Sequence, residues 1–263
     1  MSRAQLVALD VDGTLVSYDG DFSPELHAAV RAVDEAGIHV VLATGRGVHS
    51  AAPVARELGL TDTWLVCSNG AVTARLDPDG GVSIVDTVTF EPGPALRAIA
   101  LEVPDALFAI EDVGRGFFVS GDFPPGEIGG ELTRLPFAEL ASRPTTRVVI
   151  RHPGSTQAEF HELVERVGLH EVTYAVGYTA WLDLTPAGVT KASALEAVRR
   201  ELGVEPFATV AIGDGGNDLE MLRWAARGVA MGHAAPEVHA AADEVTGTID
   251  DDGAVAILRS LLP

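Results

Sequence analysis

Lysine occurs once in these 263 residues, at position 191, and cysteine once, at position 67. A single cysteine excludes an internal disulfide and fits a reducing cytoplasm. Basic residues of any kind are scarce: 18 Lys and Arg face 38 Asp and Glu, for a formal charge of −20. That balance argues against nucleic acid or an anionic membrane surface as a partner. An anionic substrate would have to be met by a local positive group. No apolar run approaches the roughly 20 residues of a membrane-crossing helix. Nor do residues 1–5 hold the apolar core of a signal peptide. Disorder is equally out of place, because 47% of the residues are hydrophobic. The expectation is a soluble, cytoplasmic protein of one large domain or two ordinary ones.

What is present begins with Leu6-Val7-Ala8-Leu9, a run suited to a strand buried on both faces. Asp10-Val11-Asp12-Gly13-Thr14 follows it directly. Buried carboxylates are costly without a partner charge, and a hard divalent cation such as Mg2+ would meet them. A bare Asp-x-Asp is equally the pattern of a polar strand-to-loop turn, so the rest of the chain has to decide. Ser23-Pro24 starts a helix carried by Leu26, Val30 and Val33 and stopped at Gly37. His39–Ala43 is a second strand, ending in Thr44-Gly45-Arg46, and a helix around Val54 and Leu58 follows, with Pro53 expected in its first turn. Trp64–Cys67 is a third strand, ending in Ser68-Asn69-Gly70. This alternation predicts a parallel sheet with helices on both faces and its chemistry at the carboxyl ends of the strands.

The rhythm then changes. Residues 72–90 read as a hairpin around Asp77–Gly81. Beyond it, strands are expected at 107–110, 117–120, 147–150, 173–176 and 181–184, and helices at 95–102 and 157–167. Residues 124–144 read as loop with some short structure. The parallel rhythm returns at Thr190 with a helix that ends at Gly203. A strand at Thr209–Ile212 runs into Gly213–Asp218, and further helices are expected over 219–226 and 253–261, with a short strand between them at 228–232. The whole is a Rossmann-like α/β core formed by residues 1–85 and 184–263, into which an α+β domain, 86–183, is inserted.

Lys191 stands at a helix start, where the macrodipole disfavours a cation. An anion nearby would explain it, although a solvated lysine at a helix end reads the same in isolation. Asp214 ends its strand as Asp10 ends the first, and Asp218 falls in the next helical turn, an ordinary place for an acid. Thr44 and Asn69 could serve merely as caps or turn formers, and Arg46 as a surface residue. It is their coincidence that carries weight, because every strand end presents a group suited to holding Mg2+ and a phosphoryl group.

In order and spacing these residues resemble the haloacid dehalogenase-like superfamily of phosphatases, and within it the Cof-type sugar-phosphatase branch. Asp10–Thr14 matches the nucleophile motif, Thr44-Gly45-Arg46 the second motif and Asn69-Gly70-Ala71 the third. Gly188-Val189-Thr190-Lys191 matches the lysine motif, with Ala192 where the family usually has glycine, and Gly213–Asp218 matches the last. The central segment carries no motif and matches the family's cap domain in length and position. The resemblance implies a Mg2+-dependent phosphatase acting on a small phosphorylated metabolite, a sugar phosphate first among them. Asp10 would be the nucleophile and Asp12 the general acid and base. Thr44, Arg46, Lys191 and Asn217 would bind the phosphoryl group in a locally positive site. Asp10, Asp12 (through its carbonyl), Asp214 and Asp218 would hold the metal. A phosphomutase of the same superfamily shares every one of these residues and is the alternative. Glu111, Arg115, His152 and Tyr178 are candidates for reading the substrate without any spacing that supports them, and the oligomeric state is not legible.

Overall fold

The computed structural model describes residues 4–17, 20, 22–152, 154, 156, 158–159, 162, 166–167, 172–176 and 181–263. The first run of elements is β1 (Leu6–Leu9), α1 (Pro24–Glu35), β2 (His39–Ala43), α2 (Val48–Glu57), β3 (Thr63–Cys67), β4 (Val72–Leu76) and β5 (Val82–Thr87). The second is α3 (Gly93–Glu102), β6 (Leu107–Asp112), β7 (Gly116–Val119), β8 (Glu131–Arg134), α4 (Phe137–Leu140), β9 (Val148–Arg151), β10 (Val172–Val176) and β11 (Trp181–Pro186). The third is α5 (Lys191–Glu201), β12 (Thr209–Gly213), α6 (Leu219–Trp224), β13 (Arg227–Ala230), α7 (Pro236–Ala241), β14 (Glu244–Val245) and α8 (Gly253–Ser260). They group into two compact units, one of residues 1–46, 51–86 and 190–263 and the other of 47–50 and 87–189.

The first unit is built on an eight-stranded sheet in the order β14-β13-β12-β1-β2-β3-β4-β5. Its run from β14 to β3 is parallel, and β4 joins antiparallel to β3. The apolar runs explain this arrangement. β1 and β12 are buried at every residue, as strands covered on both faces must be. Leu6, Ala8, Val41 and Ala211 pack with Leu195 and Val198 of α5 and Met221 and Leu222 of α6. Val7, Leu9, Val40 and Leu42 alternate to the opposite face and are just as buried. α1 packs on β2 and α8; Ser23 caps it by accepting from the Leu26 amide at 3.1 Å.

Pro53 departs from expectation. α2 begins at Val48, so the proline sits in the second turn rather than the first. It forfeits one amide hydrogen bond there, and the burial of Val48, Ala51, Ala52, Ala55 and Leu58 holds the helix regardless.

The second unit contains a six-stranded sheet in the order β10-β11-β9-β6-β7-β8, antiparallel except for the β7–β8 pair. Phe108, Ile110, Val148, Ile150, Leu182 and Leu184 form a core with Leu96 and Ile99 of α3. The 124–144 segment supplies the exposed edge strand β8 and the single turn α4. The helix expected over 157–167 falls largely outside the described residues. The sequence reading did not anticipate β14 or α7.

Candidate active site

Strands β1, β2 and β3 step to one side of the sheet, and β12, β13 and β14 step to the other. The winding direction therefore reverses between β1 and β12, which is where doubly wound sheets bind ligands. Leu9 lies opposite Ile212 in register. The Asp10 amide donates to the Ile212 carbonyl at 3.0 Å, so the chains emerging at Asp10 and Asp214 leave the sheet side by side.

Past Asp10 the backbone coils tightly, with the amides of Leu15 and Val16 both donating to the Val11 carbonyl at 2.9 Å. Gly13 has φ +82, and a Cβ built on it would lie 2.3 Å from Asp214 Oδ2. Only glycine allows that carboxylate to approach so closely. The Thr14 hydroxyl donates to the other oxygen, Asp214 Oδ1, at 3.1 Å. Asp218 accepts from the Asp214 and Gly215 amides at 3.0 and 2.9 Å through Oδ2, which leaves Oδ1 for Lys191.

Lys191 is the first residue of α5, set by the Thr190 cap and its reciprocal bonds with Ser193. It is 0% exposed, and its Nζ donates to Asp10 Oδ1 at 2.5 Å and Asp218 Oδ1 at 2.6 Å. The anion that a lysine at a helix start calls for is thus a pair of aspartates. Gly70, at φ +99, lets the end of β3 lie against this helix start, since a Cβ there would be 2.2 Å from the Thr190 carbonyl oxygen.

The carboxylates of Asp10, Asp214 and Asp218 each offer an oxygen within 4.8 Å of the others, and all three residues are buried. Burial raises the Asp10 pKa well above the ordinary carboxylate range. The neighbouring charges of Asp218 and Asp214 push it further, and Lys191 opposes them. Asp214 is raised by burial and then by Asp218, against the Thr14 hydrogen bond. Burial works against the Lys191 ammonium, but Asp10 and Asp218 outweigh it and hold its pKa above that of an ordinary lysine. Three acids confront one base, in a set of hard oxygen donors whose excess negative charge a divalent cation would relieve. These residues fit Mg2+. Among Asp10, Asp12, Asp214, Asp218, Lys191 and Arg46 the acids outnumber the bases, so a positive field requires the metal.

The remaining strand ends also converge. Thr44 is 0% exposed, and its hydroxyl accepts from the Arg46 amide at 3.0 Å. Its carbonyl accepts from the Asn69 amide at 3.1 Å, and the Arg46 carbonyl from the Ser68 amide at 2.9 Å. Ser68 and Asn69 adopt φ of +50 and +54, a sparsely populated region for such residues that often marks function. Asn217 donates from Nδ2 to Asn69 Oδ1 at 2.9 Å. Arg46 reaches Asp12, with Nε donating to Oδ1 and Oδ2 at 3.1 and 2.9 Å and Nη2 to Oδ1 at 2.5 Å.

The sequence offers Thr14 only as part of the first motif, with no role of its own, and offers no role for His233, whose Nε2 lies 3.6 Å from Asp214 Oδ2. Both follow the carboxyl end of a strand, the rule that found the others. In the inserted unit, Glu111 accepts from the Thr146 hydroxyl at 2.6 Å, Arg115 pairs with Glu131 at 3.3 Å, and His152 lies 3.4 Å from Asp105. Tyr178 lies outside the described residues.

A family model described as haloacid dehalogenase-like hydrolase matches residues 7–92 and 131–258. The stress response protein YhaX of Bacillus subtilis (strain 168) is 30% identical over 274 residues, covering 97% of this chain and 92% of its own. Phosphatase YwpJ of the same strain is 26% identical, covering 98% of this chain and 100% of its own. Among solved structures, the HAD subclass IIB sugar phosphatase BT4131 has a TM-score of 0.82 over 98% of both chains, and at 24% identity that likeness concerns the fold.

Proposed function

We propose, from the premise that this chain belongs to the haloacid dehalogenase-like hydrolase family and is a phosphatase, that its substrate is a sugar phosphate, hydrolysed with Mg2+ through an aspartyl-phosphate on Asp10. The observation that carries this reading is the meeting of Asp10 with Asp214, Asp218 and Lys191 at the point where the sheet reverses direction. The names of the sugar phosphatase and the phosphatase to which the chain is similar support it. Mg2+, held by Asp10, the Asp12 carbonyl and Asp214 with help from Asp218, would supply the positive charge that lets an anionic ester approach a carboxylate.

The chain's own groups do the rest. Asp10 attacks phosphorus as the bond to the leaving oxygen breaks, and Asp12 gives that oxygen its proton. In the second half, Asp12 takes a proton from water as the water attacks the aspartyl-phosphate. The acyl-phosphate bond breaks, and the Asp10 carboxylate and inorganic phosphate are regenerated. Lys191 neutralises phosphoryl oxygens, and Thr44, Arg46 and Asn217 add donors. Recognition of the sugar falls to the inserted unit. A cytoplasmic location belongs to the same proposal, resting on the single cysteine.

The decisive measurement is turnover of p-nitrophenyl phosphate by Asp10→Asn, expected to fall to background; retained turnover removes the mechanism. A chelator is expected to silence the wild type and Mg2+ to restore it. A screen of phosphorylated metabolites for phosphate release then names the substrate, and an isomeric sugar phosphate as product instead of free phosphate would replace hydrolysis by phosphomutase chemistry.

A further inference from the structure

Asp10 and Asp12 are near neighbours in sequence and opposites in environment. Asp10 is 5% exposed and bonded to the buried Lys191, whereas the Asp12 side chain is 51% exposed. A carboxylate that open is free to rotate unless something holds it. The turn over residues 11–16 fixes only its backbone.

We infer that Arg46 positions Asp12 for proton transfer, gripping its carboxyl group with the Nε and Nη2 edge of the guanidinium. This rests on the phosphatase mechanism proposed above and adds a residue to it. Three features carry it. The contact is a planar fork, with Nε donating to both carboxylate oxygens and Nη2 to one of them, which fixes the plane of the carboxyl as a point charge does not. Arg46 is itself held by main chain: its amide donates to the Thr44 hydroxyl and its carbonyl accepts from Ser68, so the end of β2 aims the fork at the end of β1. Finally, an ion pair with side chains 30% and 51% exposed adds little to folding, so stability does not account for it.

The grip uses one edge of the guanidinium. Nη1 donates to no described atom and is left to serve a phosphoryl oxygen. Because N–H groups can donate to a carboxyl group in either protonation state, the same hold serves both half-reactions. In the first, the O–H bond of Asp12 breaks as the leaving oxygen gains the proton. In the second, a proton passes from water to Asp12.

The test compares kcat/KM for p-nitrophenyl phosphate, whose leaving group departs readily as an anion, with phenyl phosphate, whose leaving group benefits from a proton. A positioned acid supplies on the order of 10^2- to 10^4-fold. Arg46→Met is therefore expected to lose about tenfold on the nitrophenyl ester and about a hundredfold or more on the phenyl ester. Asp12→Asn should widen the gap between the two esters in the same way. The double variant should show no wider gap than Asp12→Asn alone, because Arg46 acts through Asp12. Arg46→Lys keeps the charge without the fork, so it should recover KM and leave the gap open; it carries the test if the methionine variant fails to fold. Equal losses on both esters, additive with Asp12→Asn and cured by lysine, would overturn the inference and leave Arg46 as a phosphate ligand only. Turnover by Asp10→Asn instead sinks the underlying mechanism, so the two failures are separable.

Discussion

The two units of this protein handle buried charge in opposite ways. In the first, Asp10, Asp214 and Asp218 crowd around Lys191, and burial and mutual repulsion raise the pKa of Asp10 and Asp214. In the second, the buried Glu111 and the half-buried Asp183 are each met by donors of their own unit. Arg147 Nε donates to Asp183 Oδ1 at 2.7 Å, the Trp181 indole to Asp183 Oδ2 at 3.1 Å, and the Thr146 hydroxyl to Glu111 Oε2 at 2.6 Å. Burial alone therefore does not identify chemistry. A surplus of one sign leaves work for a ligand, whereas a matched set serves architecture.

That contrast can be attacked in four places, the strongest first. Lys191→Met removes the ammonium facing three buried acids. We expect turnover to fall on the order of 10^3-fold and the metal-free fold to lose about 3–5 kcal/mol, read by steady-state kinetics and by urea melts in chelator. Arg147→Met breaks a matched pair instead. The expected loss is about 3 kcal/mol of stability with Mg2+ affinity unchanged, and a shift in Mg2+ affinity by calorimetry would erase the distinction between the units.

The pH dependence comes next. Folded-state pKa values of Asp10 and Asp214 lie above their unfolded values. The metal-free fold therefore holds protons that the unfolded chain releases. Their contribution to its stability is present below the ordinary carboxylate pKa and is lost as pH rises through the raised values. Added Mg2+ should reverse that trend, giving about 2.7 kcal/mol at a hundred times Kd and binding more weakly toward acid pH. Thermal melts with and without chelator across pH provide the check. Parallel curves in the two conditions would mean that these carboxylates do not hold the ion. The smallest effect belongs to Gly13→Ala, which strains a left-handed backbone and crowds Asp214. Mg2+ affinity should weaken about 10- to 100-fold, as when a ligand's support is lost.

The sequence disclosed the strand ends of the first unit because a parallel sheet concentrates its chemistry there and because Asp10, Thr44, Asn69 and Asp214 each follow an unbroken apolar run. It did not disclose the partner of Arg46, since the fork to Asp12 depends on β1 and β2 lying side by side. Asp218 illustrates two roles in one residue: it caps its own helical turn through Oδ2 and meets Lys191 through Oδ1. Only the first is a local property of the chain. Pro53 was misplaced because the apolar spacing that marks α2 begins later than the helix does. In the inserted unit Glu111 and Thr146 are 35 residues apart and Arg147 and Asp183 are 36 apart, so no period along the chain reveals these pairs.

Gly70 extends this logic to the main chain. With no side chain there, the loop after β3 rests directly on the Thr190 carbonyl, one residue before the lysine. The ammonium is thus located by two stretches of backbone in direct abutment, with no side chain between them to flex. A single added methyl at residue 70 would wedge them apart and move the protein's one lysine off its acids, disabling the site through the main chain alone.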